Sequence, residues 1–346
     1  MRTLRLSVDP ANLDSGKSRE AIADAAAILR NGGTVAFPTE TVYGLGANAL
    51  DESAVAKIFA AKQRPRWDPL IVHLADRTML PLVTRHVPDS ARKLIDAFWP
   101  GPLTLLLPRS AAIPDAVTAG RPLVGVRTPR HPVAHALLAA VGLPIAAPSA
   151  NSFGRISPTM ASHVAEDLDG RIDAILDSGE TTHGLESTVV DPGAHPCLIY
   201  RPGVITLDQI RAICPDAIAY KETAKPTSEP ESLPSPGVGI RHYAPRAKLL
   251  LVEDPQHFKE SAQAAETNGE KLGLMLPNEF PYVEEGNGAL IYRWGAWANE
   301  EELAHRLFAG LRWLDASGAT VIICPTPKGS GIGAAIRDRL KKAARE

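Results

Sequence analysis

The sequence has little of what staples a chain together or carries it through a membrane. Its three cysteines, Cys197, Cys214 and Cys324, are odd in number, far apart and without a C-x-x-C pair. That argues against a disulfide framework and a zinc site, and it fits a reducing cytoplasm. No charge of either sign dominates: 37 Lys and Arg stand against 39 Asp and Glu, a formal net charge of -2. No global field therefore recruits nucleic acid or an anionic membrane, and an anion site must be a local cluster. Aromatics are 5% of the chain and do not interleave with cations as in single-strand nucleic-acid platforms. Nowhere do eighteen apolar residues run together, and the opening "MRTLRLSVDPANLDSG" has no apolar h-region, so the expectation is a soluble, cytoplasmic protein with no membrane partner. A Walker A sequence, H-E-x-x-H, a Ser-His-Asp order and a spaced carboxylate pair are all missing. Gly44-Leu45-Gly46 lacks the third glycine of a dinucleotide fingerprint.

What is present is a globular composition, 45% hydrophobic and 22% charged over 346 residues, long enough for about two domains. Short apolar runs, "TVAFP", "PLIVHL", "LTLLLP", "LVGVR", "PIAAPS", "DAILDSG", "ESTVVD" and "CLIYRPG", alternate with helix-period segments at 18–31, 52–62, 88–98, 132–141 and 158–168. Start signals are Asp51, Pro132 in a first turn, and Ser157 before Pro158. Residues 1–214 are expected to form a mixed α/β domain. Residues 215–245, rich in Pro, Ser, Thr and charge, have linker composition, and 246–346 alternate strand and helix as a small, largely parallel α/β domain.

The chemistry-bearing residues form patches. In "DESAVAKIFAAKQRP", Val55, Ile58, Phe59 and Lys62 share one helix face, so Lys62 must snorkel or meet an anion. Pro65 ends that helix and leaves Arg64 and Arg66 on the turn beyond. The cluster reads either as a cationic helix end or as a hand for an anion. "FPTETVYGLG" gathers hydroxyls and glycines at a strand exit, suited to a small polar ligand or to a plain turn. "APSANSFGRISP" delivers Ser149 and Asn151 after a strand, and Ser157 opens a helix as an anion-binding N-terminus or a simple cap. Arg127, at the end of "LVGVR", suits a carboxylate clamp or a surface ion pair. His73 in "LIVHL" reads as a core histidine or a ligand, Ser187 and Arg201 sit on strand candidates, and His242 comes from the linker. The "GSGIG" at 329–333 offers an anion-binding helix start or a glycine turn. No protein nucleophile stands out, which suits joining substrates on ATP by positioning and charge stabilisation.

In order, P-T-E-T-V-Y-G-L at 38–45, K-x-R-P at 62–65, P-L-I-V-H at 69–73, W-P-G-P-L-T at 99–104, A-P-S-A-N at 147–151 and E-S-T-V-V at 186–190 resemble the YrdC-type threonylcarbamoyl-AMP synthases. S-P-G at 235–237 and H-Y-A-P at 242–245, before a further α/β unit, resemble the long two-domain form. The resemblance implies a YrdC-like twisted α/β domain with a concave cleft, a linker folding over it, and a smaller Rossmann-like domain. It implies a nucleotidyltransferase that makes L-threonylcarbamoyladenylate and pyrophosphate from L-threonine, bicarbonate and ATP. The product would pass to a tRNA threonylcarbamoyl transferase complex for N6-threonylcarbamoyladenosine; direct tRNA binding is left open. By the same resemblance Lys62 and Arg64 act on the ATP phosphates, with Arg66, Ser149, Asn151, Ser157, Arg201 and His242 as further nucleotide contacts. Thr39, His73, Arg127, Ser149 and Ser187 would line the L-threonine pocket. Mg2+ is expected to ride mainly on the ATP phosphates, with no zinc or organic prosthetic group. Asp68 departs from the usual neutral or basic residue and is expected to bind Mg2+ or pair with Arg66; Phe153 replaces a small residue. A double-stranded RNA-binding module and a carbamoyl-transfer enzyme of the hydrogenase-maturation type are the alternatives.

Overall fold

The structure, a computed structural model, describes residues 2–221, 232–235, 242–280 and 288–345. Of the linker expected at 215–245, residues 222–231 and 236–241, which include Pro236 and Gly237 of the S-P-G motif, lie outside the described residues. Two compact units are drawn from Met1–Phe153, Pro158–Thr182 and Glu186–Gly239, and from Gly154–Ser157, His183–Leu185 and Ile240–Glu346.

In the first unit the described strands are β1 (Leu4–Ser7), β2 (Val35–Phe37), β3 (Gly44–Asn48), β4 (Ile71–His73), β5 (Leu103–Pro108), β6 (Leu123–Arg127), β7 (Ile145–Ala146), β8 (Ala174–Asp177), β9 (Thr188–Asp191), β10 (Leu198–Arg201) and β11 (Ile218–Ala219). They form one mixed sheet in the order β1-β8-β2-β3-β7-β4-β6-β5-β9-β10-β11. Strand alternation splits the core: Ala36 joins one apolar cluster with Leu45, Val72 and Leu105, while Val35 and Phe37 join another with Leu137, Ile145 and Leu176, as side chains on a pleat must. Within the sheet β4 and β6 run parallel with His73 opposite Arg127, and β5 runs parallel to β9 with Leu103 opposite Thr188.

Three local expectations change. The glycines of "GLGAN" are not in a turn but in β3, paired with β2 and β7. A Cβ on Gly46 would stand 2.9 Å from both Ile145 Cγ2 and Phe37 Cε1, so the glycine is required by close packing. The helix Glu52–Lys62 stops through Gln63, a left-handed cap at φ 54 whose neighbour Arg64 N–H donates to Phe59 O at 3.0 Å, before Pro65 is reached. Ser157 does not open a helix: the helix begins at Ala161 with Met160 at its cap. Residues just before it are held irregular, Tyr43 N–H donating to Pro158 O at 2.9 Å and Thr181 N–H to Thr159 O at 3.0 Å.

The second unit carries β12 (Lys248–Val252), β13 (Leu272–Pro277), β14 (Leu290–Gly295) and β15 (Val321–Pro325), all parallel in the order β12-β15-β13-β14. Helices Pro255–Thr267, Glu300–Ala316 and Ile332–Ala343 link or flank the strands, the Rossmann-like alternation expected. Gly154–Ser157 and His183–Leu185 belong to this unit through backbone contacts. Arg312 donates to Ile156 O and Ser157 O, and a Cβ on Gly184 would meet His305 O at 2.4 Å. Among the described residues no helix is long and apolar enough to cross a membrane.

Candidate active site

In the first unit, Lys62 ends the helix Glu52–Lys62 on its buried stripe, with Val55, Ile58 and Phe59. Its ammonium, 1% exposed as a residue, donates to Ser149 O at 2.6 Å and to Asn151 O, while Phe153 N–H donates to Lys62 O at 2.8 Å. Lys62 therefore anchors the whole S-A-N loop. Burial, reinforced by the Arg64 charge, pulls its pKa well below the ordinary lysine value, against the opposing pull of Asp167 and Asp68.

Arg64 is also buried. Its Nε donates to Asp68 O at 3.1 Å, its Nη2 donates to Pro69 O at 2.8 Å, and Nη2 lies 2.9 Å from Asp68 Oδ2. Asp68 thus pairs with Arg64, four residues back, and not with Arg66, which is exposed and has no hydrogen bond or ion pair among the described residues. The turn after the left-handed cap explains this, since it folds Arg64 inward and turns Arg66 out. Burial raises the Asp68 carboxyl, opposed by Arg64, Lys62 and Arg201. Arg64 thus touches the Asp68 carboxyl, and Lys62 and Arg201 act on it through charge.

Arg201, at the end of β10, donates through Nε to Ser187 O at 3.0 Å and through Nη2 to Ser187 Oγ at 3.1 Å. Ser187 Oγ in turn lies 2.8 Å from Thr104 Oγ1, a β5 hydroxyl outside the sequence-predicted set. Because β5, β6 and β9 are neighbours, this group sits beside the strand that ends in Arg127.

Arg127 is 3% exposed, which replaces the surface ion pair that one reading of "LVGVR" allowed. Its Nε donates to Gly101 O at 3.1 Å and Nη1 to Thr41 Oγ1 at 2.9 Å, and Nη2 lies 2.6 Å from Glu40 Oε1. Thr41 Oγ1 is 2.7 Å from Thr39 Oγ1, which donates to Val42 O, so the P-T-E-T loop is closed on itself and on Arg127. Burial works to raise the Glu40 carboxyl, but Arg127 and backbone donors hold it below its usual range. His73, opposite Arg127 in register and edge-on to Phe37 at 6.1 Å, has no partner for Nδ1 among the described residues. Burial and then the Arg127 charge push it down to about 3, so its imidazole is neutral near pH 7. The two halves of the site are joined at Tyr43, whose carbonyl accepts from Ala150 N–H at 2.8 Å, and at the Gly44–Ser149 bridge.

Thr39, Lys62, Arg64, His73, Arg127, Ser149, Asn151, Ser187 and Arg201 are therefore linked within the first unit by hydrogen bonds, strand register or shared charge. Glu40, Thr41 and Thr104 are the polar residues that sequence reasoning passed over; the P-T-E-T string was the signal for the first two. Ser157 and His242 belong to the second unit, where both are buried and His242 N–H donates to Lys342 O at 3.3 Å. The 329–333 glycines wrap a carboxylate of the chain itself. Gly333 N–H donates to Glu300 Oε2 at 2.8 Å, and Cβ atoms on Gly329, Gly331 and Gly333 would come within 3.2, 3.1 and 2.6 Å of that carboxylate.

Comparison with known proteins follows the same division. Residues 27–203 match the Sua5/YciO/YrdC family, described as telomere recombination, and residues 205–345 match the threonylcarbamoyl-AMP synthase C-terminal domain. The threonylcarbamoyl-AMP synthase of Bacillus subtilis is 42% identical over 346 residues, covering 99% of this chain and 98% of the relative. That of Pyrococcus abyssi is 41% identical over 325 residues, covering 92% and 93%. The crystal structure of P. abyssi Sua5 complexed with L-threonine superposes with a TM-score of 0.90 at 39% identity, covering 99% of this chain and 98% of that one. With both halves matched and the motif residues assembled in one unit, the chain belongs to the threonylcarbamoyl-AMP synthase family, in its two-domain form.

Proposed function

We propose that the chain condenses L-threonine, bicarbonate and ATP to L-threonylcarbamoyladenylate, releasing pyrophosphate and water, and that the product serves N6-threonylcarbamoyladenosine formation in tRNA. The observation that carries this reading is the gathering of Lys62, Arg64 and Arg201 around Asp68 beside the Ser149–Asn151 loop, a cationic wall suited to a triphosphate. The relative of known structure was crystallised with L-threonine, and the Arg127 group beside that wall has the chemistry for an amino acid.

In this mechanism the threonine amine takes up bicarbonate with loss of water, giving N-carboxythreonine. A carbamate oxygen then attacks the ATP α-phosphorus in line, and the bond to the β-phosphate oxygen breaks to release pyrophosphate. Lys62 and Arg64, with Arg201 and the more exposed Arg66 near them, stabilise charge on the phosphates. Asn151 and Ser149, fixed by Lys62, contact the nucleotide, with Ser149 shared by both substrates. Arg127 orients the threonine carboxylate, while Thr39, Ser187 and neutral His73 shape its pocket. Mg2+ would neutralise phosphate charge and arrive on ATP, because Asp68 is already engaged by Arg64.

Pyrophosphate release with each substrate omitted tests the proposal. Release should require L-threonine, bicarbonate and ATP together; equal release without threonine or bicarbonate would refute it. Salt-sensitive RNA binding independent of ATP would favour an RNA module instead, and turnover of carbamoyl phosphate a carbamoyl-transfer enzyme.

A further inference from the structure

The P-T-E-T loop holds a carboxylate to which the mechanism above gives no part. Glu40 is 4% exposed, and removing an ionised carboxylate from water is costly unless it is paired. It is paired at 2.6 Å with Arg127 Nη2, and its other oxygen accepts the His131 backbone N–H at 3.4 Å. A buried ion pair of this kind contributes little net stability over well-packed apolar residues, so its presence calls for another reason.

Two separate segments hold the Arg127 guanidinium at three points. Gly101 O takes Nε–H, Thr41 Oγ1 takes one Nη1–H, and Glu40 faces Nη2. Two hydrogen bonds and the ion pair restrain the planar fork at three nitrogens, and Nη2, which has no hydrogen-bond partner among the described residues, keeps its N–H donors for a carboxylate. We infer that Glu40 is a positioning residue for the amino-acid substrate: its carboxylate locks Arg127 in the orientation that receives the L-threonine carboxylate. This rests on the role given to Arg127 in the proposed function. Glu40 and Thr41 act together from one loop, whose hydroxyls are cross-bonded through Thr39, so loop and guanidinium are ordered as one piece.

The test is calorimetric titration of L-threonine, and separately of ATP, into the full chain and its Glu40→Gln and Glu40→Asp variants, with steady-state pyrophosphate release alongside. Glu40→Gln is expected to weaken threonine binding and raise its KM by about tenfold, a loss suited to a misaligned clamp. ATP affinity should be unchanged, a split that general structural damage would not give. Glu40→Asp, which keeps the charge on a shorter arm, should fall between the two. Threonine affinity in Glu40→Gln equal to or tighter than wild type overturns the inference, since Glu40 would then be idle or a competitor for Arg127. If Glu40→Gln does not fold, Glu40→Asp decides: weaker threonine binding with normal ATP binding supports the role, and wild-type binding of both overturns it. Absence of threonine binding by the wild-type chain would overturn the functional reading and this inference together, whereas wild-type threonine affinity in the variants overturns this inference alone.

Discussion

Lys62 is held where its charge is disfavoured, by burial and by Arg64, yet its ammonium reaches two backbone carbonyls of the S-A-N loop. A triphosphate nearby would reverse the balance, because an adjacent anion favours the charged form. ATP binding should therefore raise the Lys62 pKa, so that between the free and the ATP-bound values binding takes up a proton and affinity falls as pH rises. Calorimetry in buffers of different ionisation enthalpy would reveal that uptake, and Lys62→Arg should abolish it. Lys62→Ala is expected to lower pyrophosphate release by about 10²–10³-fold, the range for removing a preorganised charge donor, with the far-UV circular dichroism retained. His73 makes the opposite kind of prediction. Its folded value, about 3, lies below the ordinary 6.5, so the unfolded chain binds the extra proton first. Stability should fall as pH drops from 6.5 towards 3, and His73→Gln should flatten that part of a denaturation profile.

Among elements, β3 shows what a glycine-rich strand gains and costs. Gly46 lets β3 pass against Phe37 and Ile145 at 2.9 Å from a hypothetical Cβ, so Gly46→Val should destabilise the fold by about 1–3 kcal/mol through overpacking, measured by urea unfolding. The same strand was hard to read in the sequence. "LTLLLP" and "LVGVR" announce themselves by apolar, branched residues, and their strands lie at Leu103–Pro108 and Leu123–Arg127. "GLGAN" has little of that signal and is a strand through its pairing with β2 and β7, with Gly46 where its neighbours leave no room for a Cβ. The Lys62 stripe was legible because it obeys helix periodicity within one element. The Arg127–Glu40 pair was not, since its partners are far apart in sequence and meet only through the P-T-E-T loop. Asp68 was noticed as unusual, but its partner depended on the left-handed turn at Gln63, which no local pattern disclosed.

At the scale of the molecule, the second compact unit includes two short segments from the earlier sequence, Gly154–Ser157 and His183–Leu185. Arg155 pairs with Asp315 at 3.0 Å and forms a bridge with Ala244. A chain ending at residue 215 would lack both partners, so trypsin should cut after Arg155 faster in that truncation than in the full chain; equal rates would mean that these contacts do not protect the segment. The near-neutral charge balance, -2 overall, sets up no global field for anions, so the proposed phosphate binding rests on local clusters. The most direct test of the proposed synthesis is the identity of its product. The full chain incubated with ATP, L-threonine and 13C-labelled bicarbonate should yield a threonine–AMP adduct that carries the labelled carbon, detected by mass spectrometry together with pyrophosphate. An adduct without the label, or pyrophosphate release with no threonine in the product, would contradict it.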